Sequence, residues 1–187
     1  VHVVAAADWP ALRASLPPAA IRFAQAQGFE AAAGKHILLP DADGALAAVI
    51  LGVDAAGGKR RDPFAPGRLS ALLPDGDYAL HGDIGDPALA ALSWLLSAYR
   101  FDRYRKPRPS GARLVLPIGT DGAEISNLAE SSALARDLVN TPANDLGPAE
   151  LAAAARDLAR RHRAAFSAIV GSHLPCPDFP TTISVRC

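Results

Sequence analysis

The sequence predicts an α/β fold built on a mixed sheet, and three observations carry that prediction. Leu46-Ala47-Ala48-Val49-Ile50-Leu51-Gly52-Val53 is a continuous apolar run bounded by turns, the pattern of a strand covered on both faces. Asp86-Pro87 supplies a helix cap and a first-turn proline, and Leu89, Leu92, Leu96 and Tyr99 come after it at three- and four-residue spacing as a buried stripe. Strand-like and helix-like segments alternate up to about residue 120, which implies helices layered on a sheet.

Each element has its own signal. Ala11 to Gln27 reads as helical with a break at Pro17-Pro18. His36 to Leu39 is a short strand ended by Pro40, and Asp41-Ala42-Asp43-Gly44 is a turn. Tyr78-Ala79-Leu80-His81 predicts a further strand, and the helix opened by Asp86 is expected to run to about Tyr104, with Pro107 and Pro109 stopping it. Arg113 to Ile118 predicts a strand closed by Gly119. Ser126 or Asn127 is the expected cap of a helix through Val139, whose apolar positions are Leu128, Leu134, Leu138 and Val139. Asn140-Thr141-Pro142-Ala143-Asn144-Asp145 breaks that helix, because residues before a proline avoid the helical region. Pro148-Ala149-Glu150 opens the next, with Leu151, Ala154, Ala155 and Leu158 on one face, and Ala165 to Gly171 reads as a strand.

Composition narrows the function classes. The 187 residues suffice for one domain, or for a small domain plus part of another. Half of the residues are hydrophobic, which excludes a disordered chain. Nineteen basic and nineteen acidic side chains cancel, so no basic field draws in nucleic acid or anionic lipid, and neither partner is expected. The apolar runs fall short of the roughly eighteen residues that a membrane helix needs. Val1-His2-Val3-Val4 has neither the basic leader nor the long apolar run of a signal peptide. Cys176 and Cys187 are too few for a disulfide scaffold and fit a reducing compartment, so a cytoplasmic location is expected.

Two segments carry a resemblance. Ser97-Ala98-Tyr99-Arg100-Phe101-Asp102-Arg103-Tyr104 and Leu134-Ala135-Arg136-Asp137-Leu138-Val139-Asn140-Thr141-Pro142-Ala143-Asn144-Asp145-Leu146-Gly147-Pro148 resemble the leucyl aminopeptidase (cytosol aminopeptidase) family of two-metal exopeptidases. In that family a "Y-x-F-D-x-Y" helix lies late in the N-terminal domain, and a segment close to "L-A-R-D-L-V-N-x-P-A-N-x-L-x-P" opens the catalytic domain. The resemblance implies a macro-like N-terminal domain over residues 1–120. Residues 121–187 would then be a linker helix and the truncated helix-turn-helix-strand start of the metallopeptidase domain. It also implies release of N-terminal amino acids from peptides with two Zn²⁺ or Mn²⁺ ions, and homo-oligomers in the full-length protein.

The family's metal-binding and catalytic residues lie downstream, in stretches of the "N-T-D-A-E-G-R" kind, and no such stretch occurs here. No catalytic, cofactor-binding or metal-binding residue is therefore assigned, and no cofactor is expected for this chain. Asn140 and Asn144 read as satisfying backbone groups at the turn, and Asp137 as a surface or interdomain partner. The resemblance fades near Gly171, so the chain reads as a truncated or frame-altered product, inactive alone. The alternative is a noncatalytic macro-like module for ligand binding, protein interaction or oligomerisation.

Other signals read as structural. His173, Cys176, Asp178 and Cys187 are zinc-type donors at loose spacing, with Pro175 and Pro177 restricting their approach. Gly52 to Lys59 looks like a phosphate loop, but Arg60 stands where the hydroxyl belongs, so a turn is expected. His81-Gly82-Asp83 suggests a base and its orienter, yet no nucleophile elbow accompanies it. Arg103, Arg105, Lys106 and Arg108 beside Tyr99, Phe101 and Tyr104 read as a solvated helix end.

Overall fold

A computed structural model describes residues 1–106 and 111–169. The chain divides into two compact units, Val1–Arg136 and Asp137–Cys187. The strands are β1 (His2–Ala5), β2 (His36–Pro40), β3 (Leu46–Val53), β4 (Gly76–Tyr78), β5 (His81–Gly82) and β6 (Ala112–Leu114). The helices are α1 (Trp9–Ala14), α2 (Pro18–Ala26), α3 (Pro87–Ala98), α4 (Gly122–Asn140) and α5 (Pro148–Arg161), with a 3-10 segment at Ala65–Ala71.

The first unit is built on a four-stranded sheet of order β2-β3-β1-β5. β1 pairs parallel with β3 and β5, whereas β2 pairs antiparallel with β3, so the sheet is mixed as the alternation implies. The antiparallel pair is joined by the expected turn, where the Asp41 carboxylate accepts from the Asp43 and Ala45 amides at 2.9 Å each. Along β3, Val49, Leu51 and Val53 enter one core cluster with Val3, Leu69 and Trp94. Ile50 enters the other, with Val4, Trp9, Ala20, Ala24 and Leu39. Alternating side chains thus meet apolar neighbours on both faces, as a continuous apolar strand requires. Only the start of the strand departs from this: Leu46 and Ala47 are exposed.

Gly52 marks a close crossing. A Cβ there would meet the Ala31 and Ala32 carbonyl oxygens at 2.4 Å, because the chain before β2 lies against this strand. The contact is secured by Gly52 N donating to Lys35 O and Gly34 N to Gly52 O.

Helix α3 differs from the sequence expectation in two ways. It ends at Ala98 instead of near Tyr104, because Tyr99 turns to extended backbone with ψ 135°. Its buried face is Ala90, Ala91, Ser93 and Trp94, whereas Leu89, Leu92, Leu96 and Tyr99 are half-buried. Small residues face the core because the 3-10 segment approaches so closely: a Cβ on Gly67 would lie 2.3 Å from Ser93 O. Trp94 fills the space beyond and donates Nε1–H to Ala112 O at 3.2 Å. The cap is as expected, since the Asp86 carboxylate accepts from the Ala88 and Leu89 amides.

Other elements are shorter than expected. Tyr78 to His81 is not one strand: Tyr78 ends β4, which pairs with β6 in a separate two-stranded sheet, and His81 begins β5 beside β1. The strand expected over Arg113 to Ile118 stops at Leu114, although Val115 N still donates to Tyr78 O. Pro117 then removes a donor, and Ile118 is fully exposed. Helix α4 begins earlier than Ser126 or Asn127 would place it, capped by Asp121, whose carboxylate accepts from the Ala123 and Glu124 amides. Residues 165–169 are irregular where the sequence predicts a strand, and Val170 and Gly171 lie outside the described residues, as do Pro107 and Pro109.

Replacing Gly67 with Ala places a methyl group inside the Ser93 carbonyl contact. The expected loss is about 2–3 kcal/mol in urea unfolding, and an unchanged midpoint would contradict the close packing of α3.

Candidate functional site

Within the first unit, Arg136 of the second resemblance segment meets the end of α3 and Tyr99 of the first. The chain leaving α3 presents Tyr99, and the guanidinium of Arg136, near the end of α4, lies 5.3 Å from its ring centroid. Arg136 also donates to Leu96 O at 2.6 Å. The last carbonyls of a helix lack intrahelical donors and carry partial negative charge, so a cation there satisfies both needs. Arg136 belongs to the motif, but sequence spacing assigns it no role, because it does not reveal a contact across 40 positions. Nearby, Phe101 and Tyr104 stack edge to face at 5.8 Å, and Arg103 lies over Tyr104 at 5.9 Å. Arg103, Arg105 and Lys106 are exposed, but they lie in a turn beyond the helix and not at its end, because α3 stops at Ala98; Arg108 lies outside the described residues.

In the second unit the polar turn is closed by Thr141, a residue that the motif's asparagines and aspartates overshadow in the sequence. Thr141 donates both its amide (3.0 Å) and its hydroxyl (2.7 Å) to Asp137 O. The Asp145 and Leu146 amides then donate to Pro142 O. A signal for this role exists: a threonine immediately before proline, at the end of a helical run. Glu150 accepts from the Gly147 amide at 3.0 Å and so secures the start of α5. The apolar face of α5 carries Leu151 and Leu158, 50% and 38% exposed, and α5 has no buried residue. Val139 and Ile169 are exposed as well.

A cleft of about 340 Å³ opens beyond the carboxyl ends of β1, β3 and β5, the position where parallel sheets receive ligands. Its walls include Val3, Val53, Pro63 and Ile84, and Arg61 and Asp83 lie across it. Their pairing is bidentate: Arg61 reaches the two Asp83 carboxylate oxygens at 2.5 and 2.8 Å, and also Asp83 O at 2.7 Å. That hydrogen bonding holds the Asp83 carboxyl below the usual aspartate range and raises Arg61 further. Lys59 and its neighbours form a turn, with Gly58 N donating to Ala55 O. No helix comes directly after it to present amides to a phosphate.

His81 and Asp83 do not form a base and its orienter. Asp83 is engaged by Arg61, while His81 faces His2 across the β1–β5 pair, ring centroids 5.8 Å apart. Burial, then the terminal ammonium and His81, push the His2 imidazole below its usual range.

A two-ion hydrolytic centre needs several carboxylates that converge and are free to bind cations. Around the cleft, Asp83 is bound to Arg61, Asp86 caps α3, and Asp62 pairs with Arg68 at 3.6 Å. These residues do not fit such a centre, and among the described residues no three His, Cys, Asp or Glu side chains are grouped to hold a metal. The tail donors His173, Cys176, Asp178 and Cys187 lie outside the described residues.

The described residues combine a mixed sheet with helices packed on it, followed in the chain by α4, a polar turn and α5: a mixed α/β class of protein. The chain belongs to the M17 aminopeptidase family: the model of the M17 aminopeptidase N-terminal domain matches residues 2–117. It is 33% identical over 123 residues to a probable cytosol aminopeptidase of Streptomyces avermitilis, covering 58% of this chain and 23% of that protein. A crystal structure of cytosol aminopeptidase from Coxiella burnetii aligns with TM-score 0.80 and 30% identity, over 93% of this chain and 38% of the other. The bottromycin maturation enzyme BotP in complex with Mn aligns with TM-score 0.70 and 25% identity, over 92% and 38%. The chain therefore spans well under half the length of each of these relatives. Among the described residues, no helix is long and apolar enough to cross a membrane.

The Arg61–Asp83 pair makes stability depend on acid. Asp83→Ala is expected to lower unfolding stability by about 1–3 kcal/mol at pH 7. A carboxyl with a lowered folded-state pKa stabilises above its unfolded value and loses that contribution as pH falls through the folded one. The gap between variant and parent in urea titrations should therefore narrow below about pH 4, and a gap that widens there would contradict the pairing.

Proposed function

We propose that this chain is the N-terminal portion of a leucyl-aminopeptidase-like exopeptidase that releases N-terminal amino acids from peptides. The hydrolytic centre, with its two Zn²⁺ or Mn²⁺ ions, belongs to the portion that the relatives carry and this chain does not span. The observation that carries the reading is the structural alignment to the Coxiella burnetii enzyme over 93% of this chain but 38% of that one. The match over residues 2–117 supports an N-terminal domain that ends near residue 120; we read that domain as macro-like and residues 121–187 as the opening of the catalytic domain.

The second unit supports the same reading. Val139 at the end of α4, Leu151 and Leu158 on α5, and Ile169 beyond it are 38–84% exposed, an apolar surface that this unit leaves uncovered. In the whole protein the rest of the catalytic domain covers them. By this reading the chain is inactive alone, because the carboxylates around its cleft are committed to Arg61, Arg68 and the α3 cap. The reading further places the protein in the cytoplasm and gives it peptides as substrates and a homo-oligomer as its assembled state.

The test is hydrolysis of a leucyl amide with added Mn²⁺. The 187-residue chain is expected to give no turnover above the metal-only rate, and fusion ahead of the catalytic portion of the Coxiella burnetii enzyme to give metal-dependent turnover. Metal-dependent turnover by the chain itself would overturn the reading.

A further inference from the structure

His2 and His81 are assigned no role by the peptidase reading, yet the fold brings them together. They are direct register partners on the parallel strands β1 and β5, so both side chains project to the same face. Their ring centroids lie 5.8 Å apart, with the planes 36° from parallel. Neither imidazole makes a hydrogen bond among the described residues, and the pair is not enclosed: His2 is half-buried and His81 exposed. β5 is the edge of its sheet, and His81 also lines a cleft of about 360 Å³ together with Asp75 and Asp77. Asp77 is paired there with Arg113 at 2.6 Å, and solvent reaches the histidine pair through the exposed His81 ring.

We propose that His2 and His81 form a two-imidazole site for a single divalent transition-metal ion of the Zn²⁺, Ni²⁺ or Cu²⁺ kind. Two imidazoles on one ion, with metal–nitrogen bonds of about 2.0–2.1 Å, hold their ring centroids about 5–6 Å apart. The observed separation already meets that spacing. Imidazole selects these ions over Mg²⁺ and Ca²⁺, which take oxygen donors. With two protein ligands the remaining positions belong to water, so the site is open and exchangeable. Bridging the two strands would fasten the two-residue β5 to β1, since their pairing is otherwise limited to His2–His81 and Val3–Gly82. The proposal does not depend on the peptidase reading.

Zinc titration of the full chain, monitored through the NMR signals of its histidine rings, tests the proposal. The His2 and His81 signals are expected to move together and saturate at one equivalent, ahead of His36 and His162. His81→Gln, a surface change, should shift the His2 response to on the order of tenfold higher zinc, and His2→Gln should do the same to His81, because each variant loses one of two ligand bonds. Independent responses of the two rings, or a His2 response unchanged in His81→Gln, would overturn it. An equally early response to Mg²⁺ would also overturn it, since hard cations do not favour imidazole.

Discussion

Strand β3 is the constraint on which the first unit depends. Its second half is buried on both faces, with Ile50 turned to α1 and α2 and with Val49, Leu51 and Val53 turned to α3 and the 3-10 segment. A one-residue slip would exchange the two sets of side chains, so the register with β1 and β2 is fixed from both sides. Gly52 adds a second constraint, since only a residue without a side chain admits the Ala31–Ala32 carbonyls at that point. The cleft at the carboxyl ends of β1, β3 and β5 exists because this register is fixed.

The two units differ in how far their interactions are satisfied. In the first, charged groups near the cleft are tied to one another, Arg61 to Asp83 and Asp62 to Arg68, so the cleft offers no convergent unpaired carboxylates. Arg136 caps the open end of α3 and lies over Tyr99, which joins the two segments that carry the family likeness. In the second unit the turn is tightly bonded through Thr141 and Pro142, but the helix it introduces keeps its leucines exposed. Local geometry there is complete while burial is not. Such a state is ordinary for part of a larger domain and costly for a finished one.

The parts of the fold legible in the sequence are those in which one residue type has one physical use. The apolar run at 46–53, bounded by turns, has the pattern of a covered strand, which holds from Val49 to Val53, and Asp86 before a proline has the pattern of a cap. The leucine stripe of α3 misleads because alanines and serine at 90, 91 and 93 permit the closer approach to Gly67 and so take the buried face. Tyr78 to His81 has the pattern of one strand because periodicity does not say that its two ends belong to different sheets. At the candidate site the motif from Leu134 to Pro148 is visible, and Thr141 bonds the carbonyl four residues back as a helix-end threonine can, but the contact of Arg136 with Leu96 O spans 40 positions, which no spacing rule reveals.

Hydrogen exchange of the intact chain resolved by segment tests most directly the claim that a self-sufficient first unit precedes an uncovered beginning of the next. Slow exchange, near the global unfolding limit, is expected for β2, the second half of β3 and the buried face of α3. Amides of α5 over 148–161 should exchange faster by on the order of a thousandfold. Protection of α5 equal to that of β3 would contradict the claim, because it would mean that the helix is buried within this chain.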